Sequence, residues 1–258
     1  MTRIIMHGCN GAMGRVISGL AEDMEDVRIV AGIDPDDRQS FGYPVFQSPE
    51  QCDVEADVIV DFASVKAVDH LLDYCAAKGM PLVLCTTGLS EEQAAKVQRT
   101  AGKTAVLRSA NMSLGINTLL KLLQDAARVL AAAGFDVEIV EKHHNRKVDA
   151  PSGTALALAD SVNEALNHEY HYEYDRSVKR TRRDAKEIGI QAVRGGTIVG
   201  EHEVIFAGQD EVVTFSHTAY SKAIFGKGAL EAALFLKGKG PGLYTMADVI
   251  EAAGQKQH

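Results

Sequence analysis

Cysteine is scarce in this chain: Cys9, Cys52, Cys75 and Cys85 are the four among 258 residues, with no C-x-x-C pairing. That spacing excludes a disulfide-built scaffold and points to a reducing compartment. Long apolar runs are missing too; none approaches the roughly 20 residues a membrane-spanning helix needs. Nor is there an excess of basic residues. With 27 Lys and Arg against 35 Asp and Glu, the formal charge is -8. Such a chain lacks the positive potential that displaces counterions from nucleic-acid phosphates, so an anionic substrate requires a local basic pocket. Internal repeats and low-complexity segments are absent. The segment Arg3 to His7 runs straight into a glycine loop, without the basic region, apolar stretch and cleavage site of a secretory signal. The expectation is a cytoplasmic protein that binds neither membrane nor nucleic acid.

What is present is an ordinary globular composition, 46% hydrophobic and 24% charged, on a chain long enough for two modest domains. The first 110 or so residues alternate short β-rich runs with amphipathic stretches of helical length, the pattern of a parallel sheet covered by helices. Strands are expected at 4–7, 27–33, 57–62, 81–85 and 104–107, with helices at 12–24, 65–78 and 90–101. The rhythm then changes. A long helix from Leu114 to about Ala133 precedes a strand at 136–142, a helix at 153–166, a charged stretch at 168–187 and strands at 188–193, 197–206 and 211–217. A helix at 223–236 and a short one from Thr245 follow. The fold class expected is α/β: a Rossmann-like doubly wound parallel sheet with an inserted α+β substrate-binding and oligomerisation domain. The boundaries are 1–112 for the first part of the dinucleotide-binding domain, 113–222 for the insertion, and 223–258 for the return.

Strand, then Gly8, Cys9, Asn10, Gly11, Ala12, Met13 and Gly14, then helix, is a turn that lets a pyrophosphate approach backbone N–H groups at a helix N-terminus. Asn10 stands where a glycine often sits, and asparagine tolerates a left-handed backbone better than most residues. A purely structural strand-to-helix turn is the alternative. Asp34, 20 residues beyond Gly14 at the end of the second strand, is placed to accept hydrogen bonds from ribose hydroxyls. Pro35, Asp36 and Asp37 follow it, so a 2′-phosphate would meet negative charge there. NADH is therefore favoured over NADPH, with Arg38 the residue that argues the other way.

The segment 141–154 gathers proton donors ahead of a helix start. Ser152, Gly153 and Thr154 offer backbone and hydroxyl donors to a carboxylate, and Lys147 adds full positive charge. His143 and His144 sit side by side at a strand end and point to opposite sides. Either imidazole titrates near neutrality, the property wanted for proton delivery alongside hydride transfer. The bland alternative, surface decoration or satisfied core histidines, weakens when two His, a Lys and a helix N-terminus fall within 12 residues. Metal binding is not expected, because the pair lacks a ligand spacing with Cys or carboxylate. The basic run from Lys179 to Arg183 is flanked by Asp175, Asp184 and Glu187 and reads as a solvated loop.

With these motifs in view, the chain resembles the 4-hydroxy-tetrahydrodipicolinate reductase (dihydrodipicolinate reductase) family nearly end to end. The resemblance rests on the Gly8 to Gly14 loop, Asp61-Phe62, the Thr86-Thr87-Gly88 turn, Ser109 to Met112, the His-His-x-x-Lys-x-Asp-Ala-Pro-Ser-Gly-Thr stretch at 143–154, and Arg194 to His202. It implies His143 as acid/base residue and Lys147 as proton donor, with His144, Ser152, Gly153 and Thr154 contacting a small dicarboxylate imine. It places NADH or NADPH along Gly8 to Met13, Asp34, Cys85, Thr86, Thr87, Ser109, Ala110, Asn111 and Met112. It further implies loss of water from the hydroxylated ring, hydride addition at ring carbon four, and a homotetramer built through the second sheet. Cys85 stands where many relatives have Gly, and Lys222 where Arg is frequent; the latter exchanges a fork of donors for a point charge. The rival readings are another NAD(P)-dependent amino-acid or semialdehyde dehydrogenase, and a nonenzymatic NAD sensor.

Overall fold

The computed structural model describes residues 1–38 and 41–255, which divide into two compact units, Met1–Leu114 with the returning segment from Lys222 onward, and Gly115–Ser221. The first unit carries β1 (Thr2–His7), α1 (Ala12–Glu22), β2 (Val27–Ile33), β3 (Val45–Phe46), β4 (Val58–Asp61), α2 (Val68–Lys78), β5 (Leu82–Leu84), α3 (Glu91–Ala101) and β6 (Ala105–Arg108). The second carries α4 (Leu114–Leu130), β7 (Asp136–His143), α5 (Gly153–Ala165), β8 (His171–Glu173), β9 (Glu187–Arg194), β10 (Gly200–Ala207) and β11 (Val212–Ala219). The chain returns to the first unit as α6 (Ala223–Leu236), β12 (Gly242–Tyr244) and α7 (Met246–Gln255).

All pairings of the first sheet are parallel, in the order β12-β6-β5-β4-β1-β2-β3. Its strands read as near-continuous apolar runs because both faces are covered. Ile4, Met6, Val58, Val60 and Val83 pack with Ile17 of α1 and with Ala229, Leu230 and Ala233 of α6. Their neighbours in sequence, Ile5, Ile59, Leu82 and Leu84, pack on the opposite face with Leu71, Leu72 and Val97 of α2 and α3. Strand order reverses between β1 and β4, so the carboxyl ends of those two strands form the crevice where open α/β sheets bind ligands.

The second sheet is mixed, in the order β11-β10-β7-β9-β8, with β7 at its centre. β7 alternates strictly: Val137, Ile139, Glu141 and His143 are buried, whereas Asp136, Glu138, Val140 and Lys142 are half-buried. Val137 and Ile139 join Ile188, Ile190, Val204 and Phe206 beneath Leu119, Leu123 and Ala127 of α4 and Leu158, Ala159 and Val162 of α5. The other face is polar, with Lys142 bridging Glu201 and Glu203 at 3.2 and 3.1 Å.

Several expectations need correction. Three strands of two or three residues, β3, β8 and β12, were not expected, since segments that short carry no usable alternation. The strand expected from Thr197 begins at Gly200, because Gly195 and Gly196 close a turn in which Gly195 N–H donates to His143 O at 2.9 Å and Asn145 N–H to Gly196 O at 3.2 Å. The run from Lys179 to Arg183 is not simply a solvated loop. Arg183 reaches across the sheet to Glu138 Oε1 and Asp136 Oδ1, both at 2.9 Å, and to the carbonyls of Val137 and Glu187. Its neighbours Arg180 and Arg182 are exposed.

Candidate active site

In the first unit the turn after β1 is built to bring backbone close to a ligand. Gly8 sits at φ +81°, and a Cβ on Gly14 would lie 2.2 Å from Gly8 O and 2.5 Å from Cys9 O. Helix α1 starts at Gly11 with no side-chain cap and no acidic residue in its first turn, which leaves its positive end available to an anion. Ala12 is exposed and Met13 half-buried at this start. Cys9 instead turns inward against β2; burial, with Asp34 nearby, pushes its thiol up to about 11. Asn10 does not take the left-handed conformation: among described non-glycine residues only Asn167, His168 and Asp210 have positive φ. Its side chain ties the loop down by donating to Asp36 O at 2.5 Å and Arg38 O at 3.1 Å. Asp34 accepts from Asn10 N–H at 3.0 Å and from Asp36 N–H at 3.1 Å, so its carboxylate is fixed beside the glycine turn.

At the β1/β4 switch point lies a buried network that adds His7 to Asp61 and Thr86. His7 and Asp61 are register partners, and His7 Nδ1 lies 2.6 Å from Asp61 Oδ1. The same carboxylate accepts Ala63 N–H at 3.1 Å and the Thr86 hydroxyl at 2.6 Å, tying together the loops after β1, β4 and β5. Cys85 is buried and its thiol lies well above the usual range, whereas Thr87 is exposed. After β6, Ser109 Oγ donates to Asn111 O and accepts Asn111 N–H, while Ala110 is exposed. Met112 is buried beneath α6: a Cβ on Gly228 would stand 1.7 Å from Met112 O. These residues fit a dinucleotide in kind, through a glycine cradle, an uncapped helix start and a fixed carboxylate one strand away.

In the second unit the polar residues collect where β7 and β9 end, on the helix-covered face. Glu141 has no exposed side-chain surface. Its Oε1 accepts Arg194 Nη2 at 2.6 Å and Ser152 N–H at 2.9 Å, and its Oε2 accepts Arg194 Nη1 at 2.7 Å and faces His143 Nδ1 at 2.6 Å. Burial alone would raise the Glu141 carboxyl; Arg194, His143 and the Ser152 N–H outweigh it and hold the carboxyl below its ordinary range. Ser152 caps α5 by accepting Ala155 N–H at 3.1 Å, and its hydroxyl lies 3.0 Å from His202 Nε2. The His202 ring meets that of His143 edge-on at 5.1 Å. Burial, then the neighbouring His143, lowers His202 to about 4, so it is neutral at pH 7. The Nδ1 atoms of His144 and His202 and Nε of Arg194 are buried without a hydrogen-bond partner.

The remaining expected residues border this cluster. Lys147 pairs with Asp149 at 2.9 Å, and its N–H donates to His144 O at 3.1 Å. Gly153 is exposed at the first position of α5, with Thr154 half-buried beside it. His143 and Ser152 are thus brought together through Glu141. The alternation of β7 carried the missing signal, because Glu141 lies two residues before His143 and therefore on the same side. Arg194 is opposite His143 in the β7/β9 register and His202 opposite Glu141 in the β7/β10 register. Among the described residues no group of three or more His, Cys, Asp or Glu is arranged to hold a metal ion.

Two family models, described as dihydrodipicolinate reductase N-terminus and C-terminus, match residues 2–112 and 115–250. The chain belongs to the dihydrodipicolinate reductase family. It is accordingly an enzyme, an NAD(P)H-dependent oxidoreductase. It is 51% identical over 253 residues to the 4-hydroxy-tetrahydrodipicolinate reductase of Caldanaerobacter subterraneus subsp. tengcongensis, covering 97% of this chain and 99% of that protein. Against the protein of the same name from Clostridium tetani the identity is 46% over 246 residues, covering 95% and 96%. The fold is shared with a dipicolinate-bound dihydrodipicolinate reductase from Paenisporosarcina sp. TG-14, at TM-score 0.81 and 24% identity, covering 96% of this chain and 98% of that one. No helix among the described residues is long and apolar enough to cross a membrane.

Proposed function

We propose that the chain reduces 4-hydroxy-tetrahydrodipicolinate to tetrahydrodipicolinate with release of water, the reductase step of lysine and diaminopimelate biosynthesis. The observation that carries this reading is the match of both parts of the chain, residues 2–112 and 115–250, to the two halves of one reductase family. The nicotinamide, when bound, supplies a hydride to ring carbon four after water has left. The turn of Gly8, Cys9, Asn10, Gly11, Ala12 and Met13 receives the pyrophosphate at the uncapped start of α1, the N–H groups of Gly8, Asn10 and Gly11 being bonded to Ile33 O, Asp34 and Gly8 O. Asp34 holds the adenosine ribose, and Cys85, Thr86, Thr87, Ser109, Ala110, Asn111 and Met112 line the nicotinamide end. NADH is preferred to NADPH. Asp34 and Asp36 repel a 2′-phosphate; of the two described arginines beside them, Arg38 is spent on Asp36, to which its Nε donates at 2.8 Å, and Arg15 donates its Nε to Asn10 O at 3.0 Å.

The substrate's two carboxylates are held by His144 and by the start of α5, through Ser152, Gly153 and Thr154. Once hydride has added, the ring is an enamine whose neighbouring carbon needs a proton. His143, once its Nε2 has taken a proton from solvent, and Lys147 Nζ are the donors this chain offers, and solvent restores the proton afterwards. The protein works in the cytoplasm as a homotetramer assembled through the exposed face of the second sheet, where Val140 and Ile205 are half-buried among charged neighbours. The proposed domain limits, 1–112, 113–222 and 223–258, lie within two residues of the edges of the two compact units. Replacing His143 by Gln together with Lys147 by Ala is expected to lower turnover by at least about 100-fold while NADH binding persists. Unchanged turnover would show the catalytic assignment of His143 and Lys147 to be wrong.

A further inference from the structure

Glu141 is the most completely enclosed charged side chain of the second unit's site, yet the reaction as described has no use for it. Four groups converge on its two oxygens: both terminal nitrogens of Arg194, the N–H of Ser152 and Nδ1 of His143. An ionised carboxylate can only accept hydrogen bonds, so the His143 nitrogen that faces it must carry the hydrogen. The proton on the neutral ring is thereby confined to Nδ1, and Nε2 is left bare. Nε2 points toward Gly200, where a Cβ would come within 3.1 Å, so the absence of a side chain keeps that nitrogen uncovered.

We propose that Glu141, clamped by Arg194, is a positioning residue that fixes the tautomer and ring orientation of His143 so that only Nε2 exchanges a proton with the substrate. The inference rests on the reading of His143 as the acid/base group. When Nε2 takes a proton, the imidazolium lies against a fixed negative charge at 2.6 Å, and the clamp needs no rearrangement as the charge appears. Arg194 has a different task from a substrate clamp: two of its nitrogens are committed to Glu141, and Nη2 also donates to Asp149 O at 2.7 Å, which anchors the loop carrying Lys147.

The amide of Glu141→Gln tests this by reversing one atom. Its oxygen fits the Oε1 position, between Ser152 N–H and Arg194 Nη2. Its NH₂ takes the Oε2 position, where the bond from Arg194 Nη1 is lost and where it faces His143 Nδ1, which must accept, so the hydrogen moves to Nε2. In the intact wild-type enzyme, ¹⁵N-edited NMR of the His143 ring at neutral pH is expected to show hydrogen on Nδ1, and in E141Q on Nε2. The variant's kcat is expected to fall about 100-fold or more, with KM for the dicarboxylate changed less than about threefold. A wild-type ring carrying its hydrogen on Nε2 would overturn the proposal without any variant having to fold. So would E141Q with kcat within about threefold of wild type. His143→Gln separates the two layers. If H143Q abolishes turnover while E141Q preserves it, the positioning role fails and the acid/base reading stands; if H143Q retains turnover, the acid/base reading fails whatever the tautomer.

Discussion

Replacing Arg194 by Met isolates the electrostatics of the second unit. The guanidinium supplies two of the four hydrogen bonds to Glu141, at 2.6 and 2.7 Å, and is the full positive charge bonded directly to it. Without it a carboxylate with no exposed surface keeps only one backbone N–H and one imidazole. Removing one partner of a buried pair costs about 3–5 kcal/mol, because the other is left as an uncompensated charge. Native-state hydrogen exchange of the central β7 amides reads that loss locally, which suits a two-unit chain whose global unfolding need not be two-state. Protection should fall by roughly 100- to 4,000-fold at pH 7. The pH dependence gives a second reading. In the wild type Glu141 titrates below its unfolded value, so its contribution is complete above about pH 4.3 and is lost as pH falls through the lower folded value. In R194M the carboxyl is raised, so the defect is greatest at neutral pH and shrinks on acidification. The double variant E141Q/R194M should regain most of the loss. R194M protection within about threefold of wild type, or a defect that grows as pH falls, would refute the reasoning.

His202 gives a prediction of its own. Its folded pKa of about 4 lies below the ordinary 6.5, so the unfolded chain gains a proton that the folded one refuses, and stability drops as pH falls from 6.5 towards 4. The loss is about 3 kcal/mol at most, and urea midpoints at pH 7.5 and 4.5 should differ less in His202→Gln than in wild type. For the cofactor, Michaelis constants measured side by side should be lower for NADH than for NADPH, and Asp34→Ala should raise the NADH constant about tenfold or more. A clearly lower constant for NADPH would sink the preference.

The doubly wound half of the fold was readable because β1, β2 and β4 are apolar runs that lead into Gly8, Asp34 and Asp61, and α1 and α3 each carry an apolar stripe on an otherwise polar helix. What escaped notice was short or nonlocal. β12 spans three residues, Gly242–Tyr244, and finds its place only by pairing with β6. Arg183 looked like one more charge in a basic run, since nothing local reveals that Asp136 and Glu138 lie across the sheet. The same holds at the site. His143, Lys147 and the start of α5 are neighbours in sequence and stood out together. Arg194 and His202 reach Glu141 and Ser152 from 50 or so residues away through strand register, and His7 meets Asp61 in the same manner. Asn10 shows the opposite failure: its backbone was credited with a left-handed turn, but its side chain is what ties the loop down.

The measurement that bears most directly on the whole account is NADH absorbance when the purified protein meets hydroxy-tetrahydrodipicolinate, formed in place from pyruvate and aspartate semialdehyde by the preceding synthase. Rapid oxidation that requires the synthase is the expected result. Absence of oxidation with either NADH or NADPH, from protein shown to bind a nicotinamide cofactor, would contradict it.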